Sequence, residues 1–197
     1  MTQATGKDTN SSEAINFLKT RRSVSPPGMT GPGPTAAEIE TILTIASRVP
    51  DHGKLTPWRF IVFEGEARLR AGAVFADIFK GDNPGADAAR LALEERRLAQ
   101  APLVIGVVSC AAPHVKIPEW EQVMSAGAAT TLLILAANGL GYATCWLTEW
   151  PAYDRRALTR LGLLANERMA GFVHIGMARE KPPDRPRPAL ADKVTYF

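Results

Sequence analysis

Apolar and polar positions along the chain sort into a few separable patterns, each of which predicts an element. After Thr35, apolar residues recur at Ile39, Ile42, Leu43 and Ala46, the i, i+3, i+4, i+7 spacing of a helix with one face turned to a core. Thr35-Ala-Ala-Glu38 opens that helix as a capping box, in which side chain and backbone satisfy each other's free N–H groups, and Pro50 ends it. Trp58 to Phe63 is an aromatic, β-branched strand, and LVIGVVSC (103–110) is apolar without alternation, as in a strand buried on both faces. YATCWL (142–147) and Met169 to Met177 read as two further strands. Helices are expected from Ser11 or Ser12 to about Thr20, over 66–80 and 86–99 on either side of GDNPG (81–85), and over about 153–161. Pro118 begins a long apolar helix that runs to about Asn138, with Gly139 and Gly141 as the positive-φ positions of its exit.

Residues 1–10 are polar and read as disordered, leaving 11–197 as one domain. PPGMTGPGP (26–34) can be neither helix nor central strand, and the arm 178–197 carries four prolines that favour an extended path. Four strands interleaved with helices, without a steady βα alternation, give a three-layer α/β or α+β sandwich on a mixed sheet.

Composition changes this picture little but excludes several classes. The net charge of +3 is small and acidic residues are interspersed with basic ones, so the pI of about 9.0 is no argument for nucleic-acid binding. Cys110 and Cys145 lie in apolar runs and read as buried free thiols of a reducing cytoplasm, and His52, His114 and His174 lack metal-ligand spacing. Val123 to Trp146 is the one membrane candidate. Its Ala, Gly, Thr and Ser content and the break at Asn138–Gly141 favour a buried central helix instead. The N-terminus has no apolar signal core. Arg90, Glu94, Glu95, Arg96 and Arg97 read as a solvated, salt-bridged face.

Chemistry concentrates in two short stretches. RVPDHGKLTPWRF (48–60) places His52, Gly53 and Lys54 in a turn between rigid elements, where binding sites tend to be built. Arg21-Arg22-Ser23 offers two guanidiniums and a hydroxyl, enough to hold a phosphate, although the bare tripeptide is a weak signal and taken alone reads first as a solvated basic pair. Gly139-Leu140-Gly141 follows a helix and precedes a strand, the reverse of a dinucleotide fingerprint. No Ser-His-Asp arrangement stands out.

Together, RRSVS (21–25), RVPDHGKLTPWRFIVFEG (48–65), WEQVMSAGAATTLLILAANGLGYATCW (120–146), GFVHIGM (171–177) and VTYF (194–197) resemble the nitroreductase family, closest to its small, YdjA-type members. The resemblance implies an α+β sandwich with a central sheet of four to five strands, forming a homodimer whose C-terminal tails are swapped. It implies FMN as cofactor, NAD(P)H as electron donor and a small-molecule acceptor, with no nucleic-acid or membrane partner and a cytoplasmic location. Arg21, Arg22 and Ser23 would meet the phosphate and ribityl chain. Arg48 and His52 would reach the flavin of the partner subunit. Trp146, Leu147 and Thr148 would line the ring, and Arg187, or failing it Arg185, would grip the phosphate. Ala136, Ala137, Asn138, Gly139, Leu140 and Gly141 are weaker candidates for nicotinamide contacts. Larger members carry a cation near flavin N1 and O2 where Ser25 stands here, and Lys54, standing where they have Asn, is the candidate to replace it. The implied reaction passes hydride from NAD(P)H through flavin N5 to a nitroaromatic, quinone or similar acceptor, so no catalytic side chain is expected. Alternatives on the same scaffold are an FMN-dependent dehydrogenase or dehalogenase, a flavin-degrading enzyme, or a flavin-binding protein of low turnover.

Overall fold

The computed structural model describes residues 9–197, with side chains from Ser12 onward. The elements are α1 (Thr9–Thr20), β1 (Met29–Thr30), α2 (Ala36–Ala46), β2 (Trp58–Glu64), α3 (Glu66–Asp82), α4 (Ala88–Glu95), β3 (Leu103–Ser109), α5 (Glu119–Gly139), β4 (Ala143–Leu147), α6 (Arg155–Arg160) and β5 (Arg168–Ala178). The disorder expected over 1–10 falls outside the described residues except at Thr9 and Asn10, which are helical.

β5 organises the sheet. It pairs with β3 on one side and β4 on the other, its last two residues pair with β1, and β2 pairs with the far edge of β3. Every pairing is antiparallel, so the sheet is not the mixed one expected. The reason is where β5 inserts: β3 and β4 run parallel, and β5 separates them. Hydrophobic patterning encodes which face of a strand is buried but says nothing of which strand lies beside it.

β3 is buried at all seven positions because the sheet is covered on both faces. Leu103, Ile105 and Val107 meet α2 and α5 in a core with Ile42, Ala46, Leu133, Val173 and Ile175. Val104 and Val108 turn the other way, into a core with Phe75, Ile78, Leu158 and Phe172 from α3, α6 and β5. That alternation across a doubly covered sheet is the α+β sandwich expected. The capping box of α2 forms as read, Glu38 N–H donating to Thr35 Oγ1 at 3.3 Å and Thr35 N–H to Glu38 Oε2 at 2.8 Å. Gly72 marks a close helix approach that requires glycine: a Cβ there would lie 1.7 Å from the Glu95 carbonyl oxygen.

Two local expectations need correction. Gly139 stays helical as the last residue of α5, and only Gly141 takes positive φ (93°), because the Asn138 amide closes the helix end by donating to the Tyr142 carbonyl at 2.7 Å. Glu94 is not solvated but fully buried, since Arg90, Arg97 and Trp150 surround its carboxylate. Among the described residues no helix is long and apolar enough to cross a membrane.

Candidate active site

The site is built on the connector between α1 and β1. Leaving α1, the chain runs along β4, where Val24 N–H donates to the Thr144 carbonyl at 3.1 Å. Val24 and Cys145 pack on Met29, Ala101 and Ala143, which fastens the connector to the sheet. Arg21, Arg22 and Ser23 thereby form one end of this connector. At the other end, Pro26 borders the turn that follows β4.

At the first end the C-terminal arm folds back over the connector. The Arg22 guanidinium donates to the Pro183 carbonyl and lies 3.7 Å from the Asp184 carboxylate, which Arg187 approaches at 3.8 Å. Burial lowers the pKa of Arg21, and the charges of Arg187, Arg22 and Arg185 push it further in the same direction. Four guanidiniums thus crowd one place, and a single carboxylate bridges two of them. Such a cluster is relieved by a multiply charged oxyanion, which guanidiniums bind in bidentate fashion. Beside it lies a cleft of about 270 Å³ lined by Arg21, Arg22, Asn138, Gly141, Tyr142 and Lys181. Sequence reasoning missed Lys181, which nothing distinguished from other lysines of the tail.

The second end is the turn Leu147-Thr148-Glu149. With Pro26, Arg97 and His174 these residues enclose a small cavity of about 60 Å³. Burial keeps the His174 pKa below its ordinary value; its Nε2 is 3.4 Å from the Arg97 carbonyl, and Nδ1 has no partner. Trp146 projects to the opposite face of β4 from Leu147, its Nε1–H donating to the Ala170 carbonyl at 3.0 Å. It therefore does not join Leu147 and Thr148 in this cavity.

The 48–56 loop forms a separate feature. Gly53, Lys54 and Thr56 all have positive φ, and the Asp51 carboxylate fixes the turn by accepting from Leu55 N–H (3.0 Å) and Thr56 N–H (2.8 Å). The loop is tied to α5, where Ser125 Oγ donates to the Pro50 carbonyl at 2.8 Å and Glu121 Oε2 lies 2.7 Å from His52 Nδ1. Arg48, His52 and Lys54 are exposed, and neither cleft of the same chain includes them.

Of the 136–141 segment, Ala136 and Ala137 are core residues whose carbonyls are taken by Leu140 N–H and Tyr142 N–H. Neither lines the cleft beside Arg21. Asn138 and Gly141 instead line the cleft beside Arg21, while Gly139 and Leu140 are exposed.

Neither cysteine is poised as a nucleophile. Burial and the neighbouring Glu167 push Cys110 up to about 11, and burial raises Cys145. Among the described residues no group of three or more His, Cys, Asp or Glu side chains could hold a metal ion.

Comparison with known proteins supplies the frame. The model of the nitroreductase family matches residues 18–177. A protein assigned as an NAD(P)H nitroreductase from Haemophilus influenzae is 36% identical over 193 residues, covering 94% of this chain and 100% of the relative. The YdjA protein of Escherichia coli K12, assigned the same activity, has the same identity and coverage. A nitroreductase-like family protein from Bacillus cereus shares the fold with a TM-score of 0.79 at 22% identity, over 100% of this chain and 98% of that one. A nitroreductase with bound FMN from Bacteroides fragilis aligns with a TM-score of 0.66 at 23% identity, over 94% and 98%. Iodotyrosine deiodinase bound to FMN and 3-iodo-L-tyrosine aligns at 0.62 and 21%, over 89% and 95%. With its sheet, its connector and nearly its whole length matched, the chain belongs to the nitroreductase family.

Proposed function

We propose that the protein is an FMN-dependent NAD(P)H oxidoreductase, working as a homodimer that reduces a nitroaromatic, quinone or similar acceptor. The observation that carries the reading is the convergence of Arg21, Arg22, Arg185 and Arg187, brought from two distant parts of the chain to one place beside a cleft. The residues present fit FMN: the arginine cluster suits its phosphate, and the 21–26 connector leads from it along β4 to the cavity at the 147–149 turn, the end we assign to the ring. The FMN-bound relative supports the same cofactor.

When bound, FMN supplies the hydride relay between a nicotinamide and an acceptor that use its exposed face in turn. The chain's own residues do the rest. Arg21, Arg22 and Arg187 hold the phosphate by charge-assisted hydrogen bonds, with Ser23 beside them. The backbone N–H groups of the 147–149 turn offer donors to the ring edge. Arg48, His52 and Lys54 lie outside the clefts of their own chain and are exposed, which supports their serving the site of a second subunit. Near them α5 exposes Trp120, Val123 and Met124, an apolar strip of the kind that a partner covers. Tyr196 and Phe197, also exposed, are candidates to pack on that partner. No side chain is assigned as proton donor or acceptor.

The test is the visible spectrum of the purified protein after FMN addition, followed by anaerobic NADPH or NADH. Uptake of flavin and bleaching by the nicotinamide, with turnover restored by an acceptor, is expected. Flavin that binds but is not bleached would favour a flavin-binding protein of low turnover. Bleaching by nicotinamide, with turnover on a halogenated aromatic but on no nitroaromatic or quinone, would favour the dehalogenase alternative.

A further inference from the structure

Glu149 has φ 52° and ψ −174°, a region in which a residue bearing a Cβ persists only when its surroundings impose it. The surroundings are unusually specific. The Arg97 guanidinium bonds the Glu149 carboxylate, and Arg97 is itself held by Glu94 through paired bonds of 2.8 Å. Glu94 is fully buried, accepts from Trp150 Nε1 at 3.0 Å, and is balanced by Arg90 at 2.6 Å. One buried carboxylate therefore fixes both halves of the strained turn: Trp150 directly, and Glu149 through Arg97.

We propose that Arg97, anchored by Glu94, is a positioning residue that holds the Leu147–Glu149 turn in the conformation that receives the flavin ring. The inference rests on the FMN reading above. Without the clamp the turn relaxes, and restoring it on binding lowers affinity. Strain of the size usual for such a residue corresponds to roughly 5- to 150-fold in an equilibrium constant.

Glycine adopts this conformation without steric cost, so Glu149→Gly makes the clamp unnecessary. The experiment measures the FMN Kd of the apoprotein, the visible circular dichroism of bound flavin, and the Tm, for wild type, Arg97→Gln, Glu149→Gly and the double variant. Arg97→Gln is expected to raise Kd roughly tenfold or more and to alter the flavin dichroism. In the Glu149→Gly background the same change is expected to alter Kd by less than about threefold, the limit of ordinary additivity. If Arg97→Gln folds poorly, Arg97→Lys keeps the charge opposite Glu94 but cannot span both carboxylates, and is expected to weaken FMN with Tm retained. An equal change of Kd in both backgrounds would overturn the proposal. So would a lower Tm with Kd and dichroism unmoved. Wild type that takes up no FMN would remove the functional reading and this inference together, whereas wild type that binds while the variants bind equally well removes the inference alone.

Discussion

The two ends of the 21–26 connector are built on opposite principles. The Arg21–Arg187 end lies on irregular chain, half exposed, and its character is an excess of positive charge that the protein leaves largely unanswered. The turn at 147–149 sits over a buried network in which Glu94 meets Arg90, Arg97 and Trp150, and its character is geometry held against strain. One end attracts through charge; the other defines a shape. Perturbing them should therefore give different signatures, affinity without stability at the first and, where the buried Glu94 itself is removed, both together at the second.

The largest effect is expected from Glu94→Ala, which removes the buried carboxylate shared by Arg90, Arg97 and Trp150. Removing one member of a buried pair costs about 3–5 kcal/mol, so chemical denaturation should show a large loss of stability along with weaker FMN binding. Arg21→Ala should do the reverse: stability within about 0.5 kcal/mol of wild type, but FMN Kd raised roughly 10- to 150-fold by loss of a charge-assisted bond. Arg187→Ala should resemble it, with Arg185→Ala weaker. A large stability loss in Arg21→Ala would erase the contrast.

Protons and salt should also divide the two ends. Burial depresses the folded pKa of His174 below its ordinary 6.5, so the folded state disfavours its protonation. Below about pH 6.5 the unfolded chain binds more protons at this group, and stability should fall as pH drops through that value toward the lower folded pKa. Urea titrations at pH 8 and pH 5.5 on wild type and His174→Gln check this, the variant losing the dependence. Added salt should weaken FMN binding several-fold by screening the arginines, since exposed charges are screened within roughly 10 Å at 0.1 M. The smallest expected effect is that of Lys54→Ala, which should lower the flavin midpoint potential, because a nearby cation favours the negative charge that reduction places at N1 and O2. An unchanged potential would end that assignment.

The contrast also explains what the sequence could reveal. Elements were legible because periodicity and capping are local: the Thr35–Glu38 box, the unbroken apolar run of β3 and the Pro118 helix start all formed where they were read. The charged end was legible as Arg-Arg-Ser, although only the fold brings Arg185 and Arg187 to it. Strand order was not legible, because β5 separates β3 from β4 through pairings between distant segments. Glu94 looked like one more surface charge in LEERR, since the arginine and tryptophan that permit its burial lie on both sides of it in the fold. Nothing in LTEWP announces that its glutamate adopts a conformation suited to glycine. The shape-defining half of the site is thus a tertiary property, and the attracting half largely a primary one.

The central claim is that two chains hold FMN between them, and sedimentation velocity followed at a flavin absorption wavelength tests it most directly. The account expects flavin to move with a species of twice the 21.3 kDa chain mass, one FMN per chain. Flavin left at the free-ligand boundary, or moving with a single chain, would contradict it.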